Sequence, residues 1–268
     1  MTALASCRRI GAMIMRHVYV MRSSWPRLLE LVYWPTVQLM LWAFITRFLM
    51  TQTSLLVQAG GLFLSAVLLW DTLFRCQLGM SLTFMEEMWA RNLGHLFVSP
   101  LRPFELVLSL FVVSLIRTLI GVGGAALLAI PFYDFWIGDE LGPALIAFFA
   151  HMILFGWAMG LIISALVMRL GLAAESLAWG LVFMLQPLSG VYYPIAVLPE
   201  VMQRIAWLFP PAWVFEGMRA VLIEQRFDWG LLAGAAAANL AWMGIATVTF
   251  VLLFRSARNT GRLLQVGE

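Results

Sequence analysis

No lysine occurs in the 268 residues; all 17 basic side chains are arginine. The P-loop signature G-x-x-x-x-G-K-[ST] needs its lysine to reach the terminal phosphates of a nucleotide, so this chain carries no such loop. Lysine Schiff-base chemistry is excluded as well. Cysteine is nearly absent: Cys7 and Cys76 are too few for a disulfide framework or a thiolate metal site, and no metal site is expected. "LASC" (residues 4–7) has no basic n-region or apolar h-region before it, so a cleaved signal peptide is not expected. Charge is scarce too, at 12% of residues against 62% hydrophobic, where a soluble domain has about a quarter charged and half apolar. That excess cannot be buried in one globular core, so lipid must solvate much of the surface.

What is present is a series of long apolar runs with few charges. A helix needs about 20 apolar residues to cross a bilayer. Six stretches qualify: residues 28–48, 54–80, 104–132, 141–168, 175–193 and 229–254. "IAWLFPPAWVF" (residues 205–215) is half that length and broken by two prolines, which suits a re-entrant or interfacial piece. Residues 194–225 therefore read as a helical hairpin dipping into one leaflet. The fold class expected is all-α: six transmembrane helices in a single domain over residues 1–268. Residues 1–27 add an interfacial helix, with Ile10, Met13, Ile14, Val18 and Met21 at helical spacing.

Arginine placement sets the orientation. Arg8, Arg9, Arg16, Arg22 and Arg27 precede the first run without an acid. Arg75, Arg91 and Arg102 border the connection to the third run, and Arg255, Arg258 and Arg262 end the chain. The third-to-fourth connection holds only acids: Asp134, Asp139 and Glu140. Both termini are expected in the cytoplasm and the hairpin outside.

"MEEMWARNLGHLFVSPLRP" (residues 85–103) lies between two spans on the expected cytoplasmic side. Met85, Trp89, Leu93 and Leu96 recur at helical spacing, and Glu87, Arg91 and His95 form an i, i+4 line in the favourable acid-first order. Pro100 stops the helix, and Pro103 suits the first position of the next one. A cytoplasmic amphipathic helix over residues 84–99 is expected.

At this point the chain resembles the membrane subunit of type 2 ATP-binding-cassette exporters. "RNLGHLFVSPLRPFEL" is similar to that family's cytoplasmic coupling helix and the entry to its third span. "LSGVYYPIAVLPEVMQRIAWLFPPAWVFEGMRAVL" (residues 188–222) is similar to its fifth span, proline-marked break and outer re-entrant helices. The resemblance implies a half-transporter of the bacterial inner (plasma) membrane. It would work as a dimer, most simply a homodimer, with a separate cytoplasmic ATP-binding subunit on each permease. ATP and Mg would sit on that partner, and this chain would hold no cofactor. Glu86, Glu87, Arg91, Asn92, His95 and Phe97 would contact the ATPase. Ser189, Tyr192, Tyr193, Pro194, Trp207, Pro210, Pro211, Glu216 and Arg219 would form the outer gate. Membrane lipid is the other expected partner; nucleic acid is not. The substrate would be hydrophobic or amphipathic: a drug, lipid, glycolipid or polysaccharide.

Polar groups inside the spans form a third set: Asp71, Arg75, Arg117 and Glu175. Asp71 and Arg75, at i, i+4, are expected to neutralise each other. Arg117 would cost at least about 2.5–3.5 kcal/mol unpaired, with Glu175 or Asp71 as its counter-ion. His151 reads as a hydrogen-bonded packing residue. Two other function classes compete. A proton-coupled carrier lacks titratable chains and an evident repeat. An intramembrane serine protease built on Ser189 and His151 lacks a third catalytic partner. Gly156-x-x-x-Gly160 and Gly230-x-x-x-Gly234 permit close helix approach. Trp34, Trp42, Trp136, Trp207 and Trp213 suit interfacial anchoring.

Overall fold

The computed structural model of the protein describes residues 3–52, 60–133, 137–171 and 174–259. Those residues form helices and no strand: α1 (Ala3–Arg22), α2 (Trp25–Gln52), α3 (Gly60–Trp89), α4 (Leu93–Val98), α5 (Pro103–Tyr133), α6 (Ile137–Leu141), α7 (Ala144–Leu170), α8 (Glu175–Leu185), α9 (Glu200–Ala206), α10 (Pro210–Leu222) and α11 (Trp229–Asn259). Five of them, α2, α3, α5, α7 and α11, are long and apolar enough to cross a membrane. The expected fifth span, 175–193, is no single long helix. α8 ends at Leu185, Pro187 lies in a single 3-10 turn (Gln186–Leu188), and Gly190 takes φ +64°. Proline without its N–H and a left-handed glycine together end the helical ladder. Residues 54–59 of the expected second span, and Asp134 and Trp136, lie outside the described residues.

α3 is the most buried of the long helices and packs against both α5 and α7. Gly79 faces Ser114 while Arg75 reaches Gly121, so α3 and α5 are antiparallel. Gly156 lies on Leu73 and Cys76, and Gly160 on Gln77 and Met80, so α3 and α7 run the same way. A methyl at Gly156 would stand 2.8 Å from Cys76 Cβ; the small residues let two backbones touch. α11 also runs with α7, as Phe227 meets Phe148, Asn239 meets His151 and Trp242 meets Phe155. Parallel α7 and α11 require the intervening chain to return along the bundle.

Two apolar cores result. One joins Leu69, Leu73, Phe148, Phe155, Phe215 and Met218 near the α9–α10 hairpin. The other joins Met13, Phe84, Met85, Leu93, Leu106 and Phe250 near α1 and α4. α1 buries Met13, His17 and Met21, one stripe of a helix at i, i+4, i+8. α2 and α11 bury little of themselves within the chain. Their outer faces carry Trp34, Phe44, Phe48, Leu240 and Val248, as lipid-facing or partner-facing helices would.

Candidate functional site

At the α4 end, residues 84–99 are two pieces rather than one helix. α3 runs on to Trp89 because Phe84, Met85 and Met88 are buried in the core with Met13 and Leu106. It then stops at Arg91, which adopts φ +53°. The Arg91 N–H donates to Met88 O (2.9 Å) and the Asn92 N–H to Glu87 O (2.9 Å), the paired bonds of a Schellman stop. Arginine has no glycine's freedom there, so the stop is strained by about 1–2 kcal/mol. α4 begins two residues later and is sealed by Leu93, which is 3% exposed.

This break turns the expected polar line apart. Glu87 is buried at 2% exposure and does not run up a ladder to Arg91. It accepts hydrogen bonds from Arg16 of α1 and from Asn92 Nδ2 (2.7 Å). His17 Nε2 lies 3.4 Å from Glu87 Oε1 without hydrogen-bond geometry. Burial pushes the His17 imidazole below its usual range, against the pull of the Glu87 carboxylate. Glu86 accepts from Arg117 Nη2 at both oxygens (3.2 Å each) and lies 3.9 Å from Arg27. The counter-ion of Arg117 is therefore Glu86. Asp71 is taken by Arg75 Nε at 2.7 Å, and the side chain of Glu175, the first residue of α8, lies outside the described residues. Side chains of a helix lean toward its N-terminus; in α5 that direction leads to the α4 end, where Glu86 stands. Four helices (α1, α2, α3 and α5) thus meet in one charge knot, with Asn92 tying in α4.

A second tie lies one helix start away. Glu105, fully buried, accepts from Ser6 and Arg9 of α1 and from the Arg102 N–H (2.9 Å). The last bond is half of a capping box at the start of α5. Exposed around α4 are Trp89, Arg91, His95 and Val98; Phe97 belongs to α4, but its side chain lies outside the described residues.

At the opposite end, the hairpin is clasped. Arg219, 6% exposed, donates to Gly190 O (2.8 Å) and to both Glu216 oxygens (3.0 and 3.2 Å). Glu216 accepts the Ile195 N–H at 2.7 Å. The loop from Gly190 through Tyr193 and Pro194 to Ile195 is therefore gripped at both ends by one turn of α10. Tyr192 stacks on Trp42 of α2 (4.4 Å between rings) and accepts from Gln186 (3.2 Å). Tyr193 donates to Pro187 O and Ser189 to Leu185 O. Pro210 and Pro211 start α10, buried, in the two positions where a missing N–H is harmless. Trp213 donates to Trp207 O (2.8 Å) and covers Gly234 so closely that no side chain fits there.

His151 pairs with Asn239, whose Nδ2 meets the ring Nδ1 at 3.0 Å, and Ser189 is spent on a backbone carbonyl. Among the described residues no serine–histidine hydrogen bond forms, and none of the His, Cys, Asp and Glu clusters could hold a metal ion. Sequence reasoning missed Arg16, His17, Glu105 and Asn239. Only Glu105 had a local signal, three residues after a helix-starting arginine and just past a proline.

A family model for ABC-2 type transporters matches residues 9–223. That range covers the Arg9 and Arg16 ties of α1, the break at Arg91, α4 and the clasped hairpin. The chain belongs to the ABC-2 type transporter family. It is a multi-pass membrane permease of an ABC transporter, and the family pairs such subunits with an ATP-binding one. A search of curated proteins finds no match.

Proposed function

We propose that the chain is the permease half of an exporter whose ATPase docks on α4. One observation carries the reading: α4 is tied by Asn92 to a buried Glu87 that also holds α1, while Trp89 and Arg91 just before it and His95 and Val98 within it stand exposed to a partner. A protein pressing on α4 would move α3 and α1 together. Glu86 and Glu87 serve as anchors of the lever, and Arg91, His95 and Phe97 as its contact. ATP and Mg belong to the partner; this chain binds neither.

The sixth crossing is α8 with its 3-10 extension. α7 and α11 run parallel, so residues 171–228 must return through the membrane. α8 and the extra turn rise about 22 Å, short of the ~30 Å hydrocarbon core. The clasped hairpin occupies the remaining depth from the outer side. Both termini are then cytoplasmic, in a bacterial inner membrane, and two copies face each other. The hairpin and Gly190–Ile195 loop form the outer gate through which a hydrophobic or amphipathic substrate leaves.

Co-purification tests the docking. Arg91→Glu with His95→Glu should abolish retention of the ABC ATPase while leaving membrane insertion and melting unchanged. Full retention by the double variant overturns the α4 assignment. A proton-coupled carrier would transport without any ATPase, and purified permease alone moving cargo down a proton gradient would favour it.

A further inference from the structure

A groove of about 530 Å³ opens beside the start of α5 and the last two turns of α11. Its size suits a small ligand or part of a larger one. Pro103, Phe250 and Phe254 form an apolar wall; the two phenyl rings are stacked, 6.1 Å apart. Arg255 and Arg258 stand at the same groove and are solvent-exposed. No acid lines it. The nearest acid in the sequence, Glu105, is already held by Arg9, Ser6 and the Arg102 N–H. Among the described residues neither Arg255 nor Arg258 makes an ion pair, so the groove keeps two free positive charges beside an aromatic floor.

We infer that this groove holds an anionic phospholipid of the inner leaflet, its phosphate between Arg255 and Arg258 and its acyl region along Phe250 and Phe254. The inference rests on the topology proposed above, which places the end of α11 at the cytoplasmic membrane surface. Three features select a lipid over a soluble phosphate. The cations lie at the end of a membrane-length helix, the groove wall holds Pro103, Phe250 and Phe254, and the groove is open rather than enclosed. Basic pockets between spans at that level recognise anionic headgroups through charge and guanidinium geometry.

The full-length permease, in nanodiscs of mixed phosphatidylcholine and phosphatidylglycerol, should retain phosphatidylglycerol preferentially when released for native mass spectrometry. Arg255→Gln with Arg258→Gln should lower that preference roughly thirtyfold, from about fivefold per arginine near an anionic surface. Phosphatidylcholine adducts should be unchanged. An unchanged preference in the double variant overturns the site. Loss of the bound lipid on adding inorganic phosphate overturns the lipid and assigns a soluble phosphate ligand. Arg258→Cys in a Cys7→Ser background separates the two levels. Labelling by an impermeant maleimide only in inverted vesicles upholds the inner-leaflet placement; labelling in right-side-out vesicles overturns that placement together with the topology. A lost lipid preference with inverted-only labelling supports the whole inference.

Discussion

The charge knot at the α4 end and the clasp at the hairpin end use the same chemistry for opposite purposes. Both bury an arginine–glutamate pair near the end of the bundle. In the knot and the tie beside it the partners are far apart in sequence: Arg16 with Glu87, Arg117 with Glu86, and Arg9 with Glu105. In the clasp they are three residues apart on one helix, and the third partner, Gly190, lies 29 residues earlier, ahead of α9 in the same outer segment. A long-range tie makes helices move as a body. A short-range tie fixes the shape of one segment and leaves its neighbours free. The knot therefore suits transmission of force, and the clasp suits a gate held in a defined form.

That contrast can be broken most severely at the clasp. Arg219→Met strips Gly190 O and Glu216 of a buried charged donor, and should destabilise by about 3 kcal/mol, read as a lower melting temperature in detergent. ATPase retention should be normal, because the clasp does not reach α4. The knot should answer in the other sense. Glu87→Gln keeps an acceptor for Asn92, and Arg16 is partly exposed and can turn to water, so the stability loss is only about 1–2 kcal/mol. Stimulated ATP hydrolysis should fall nonetheless. Arg16→Glu combined with Glu87→Arg should regain part of it, a coupling that a double-mutant cycle reads directly. Smaller still, Arg91→Gly should raise stability by about 1 kcal/mol by relieving the left-handed stop, while weakening ATPase retention.

The smallest effect is in pH. His17 has a folded-state pKa below its unfolded value. As pH falls through about 6.5 the unfolded chain takes its proton first, so stability is lost toward lower pH and complete above that value. His17→Leu should flatten the slope of melting temperature between pH 7 and pH 5; Glu86, Glu87, Arg16 and Arg117 all face this histidine and stay in place.

The long apolar runs made the membrane class and five of the spans legible, since lipid solvation leaves a composition signal in each helix separately. The start of α10 was legible from its two prolines. The segment 84–99 was only half legible. Periodicity grouped Glu87 with Arg91 and His95, but a period says which residues would share a face, not where the helix stops, and the stop at Arg91 breaks the line. Arg91 carries no glycine or asparagine signal for a left-handed stop. Glu87 turns inward because α1, seventy-one residues away, supplies Arg16. No local pattern reports such a partner. Arg117 is the same case: its burial was evident from its span, but Glu86 lies on another helix, past the end of the run that was taken to be apolar. Residues 175–193 had the length of a span, and Pro187 with Gly190 divided it.

The most direct test is access to α4. With Cys7→Ser and Cys76→Ser as background, His95→Cys should react with a membrane-impermeant maleimide in inverted vesicles only, and bound ATPase should block the reaction. Reaction in right-side-out vesicles, or a rate indifferent to bound ATPase, would contradict the account.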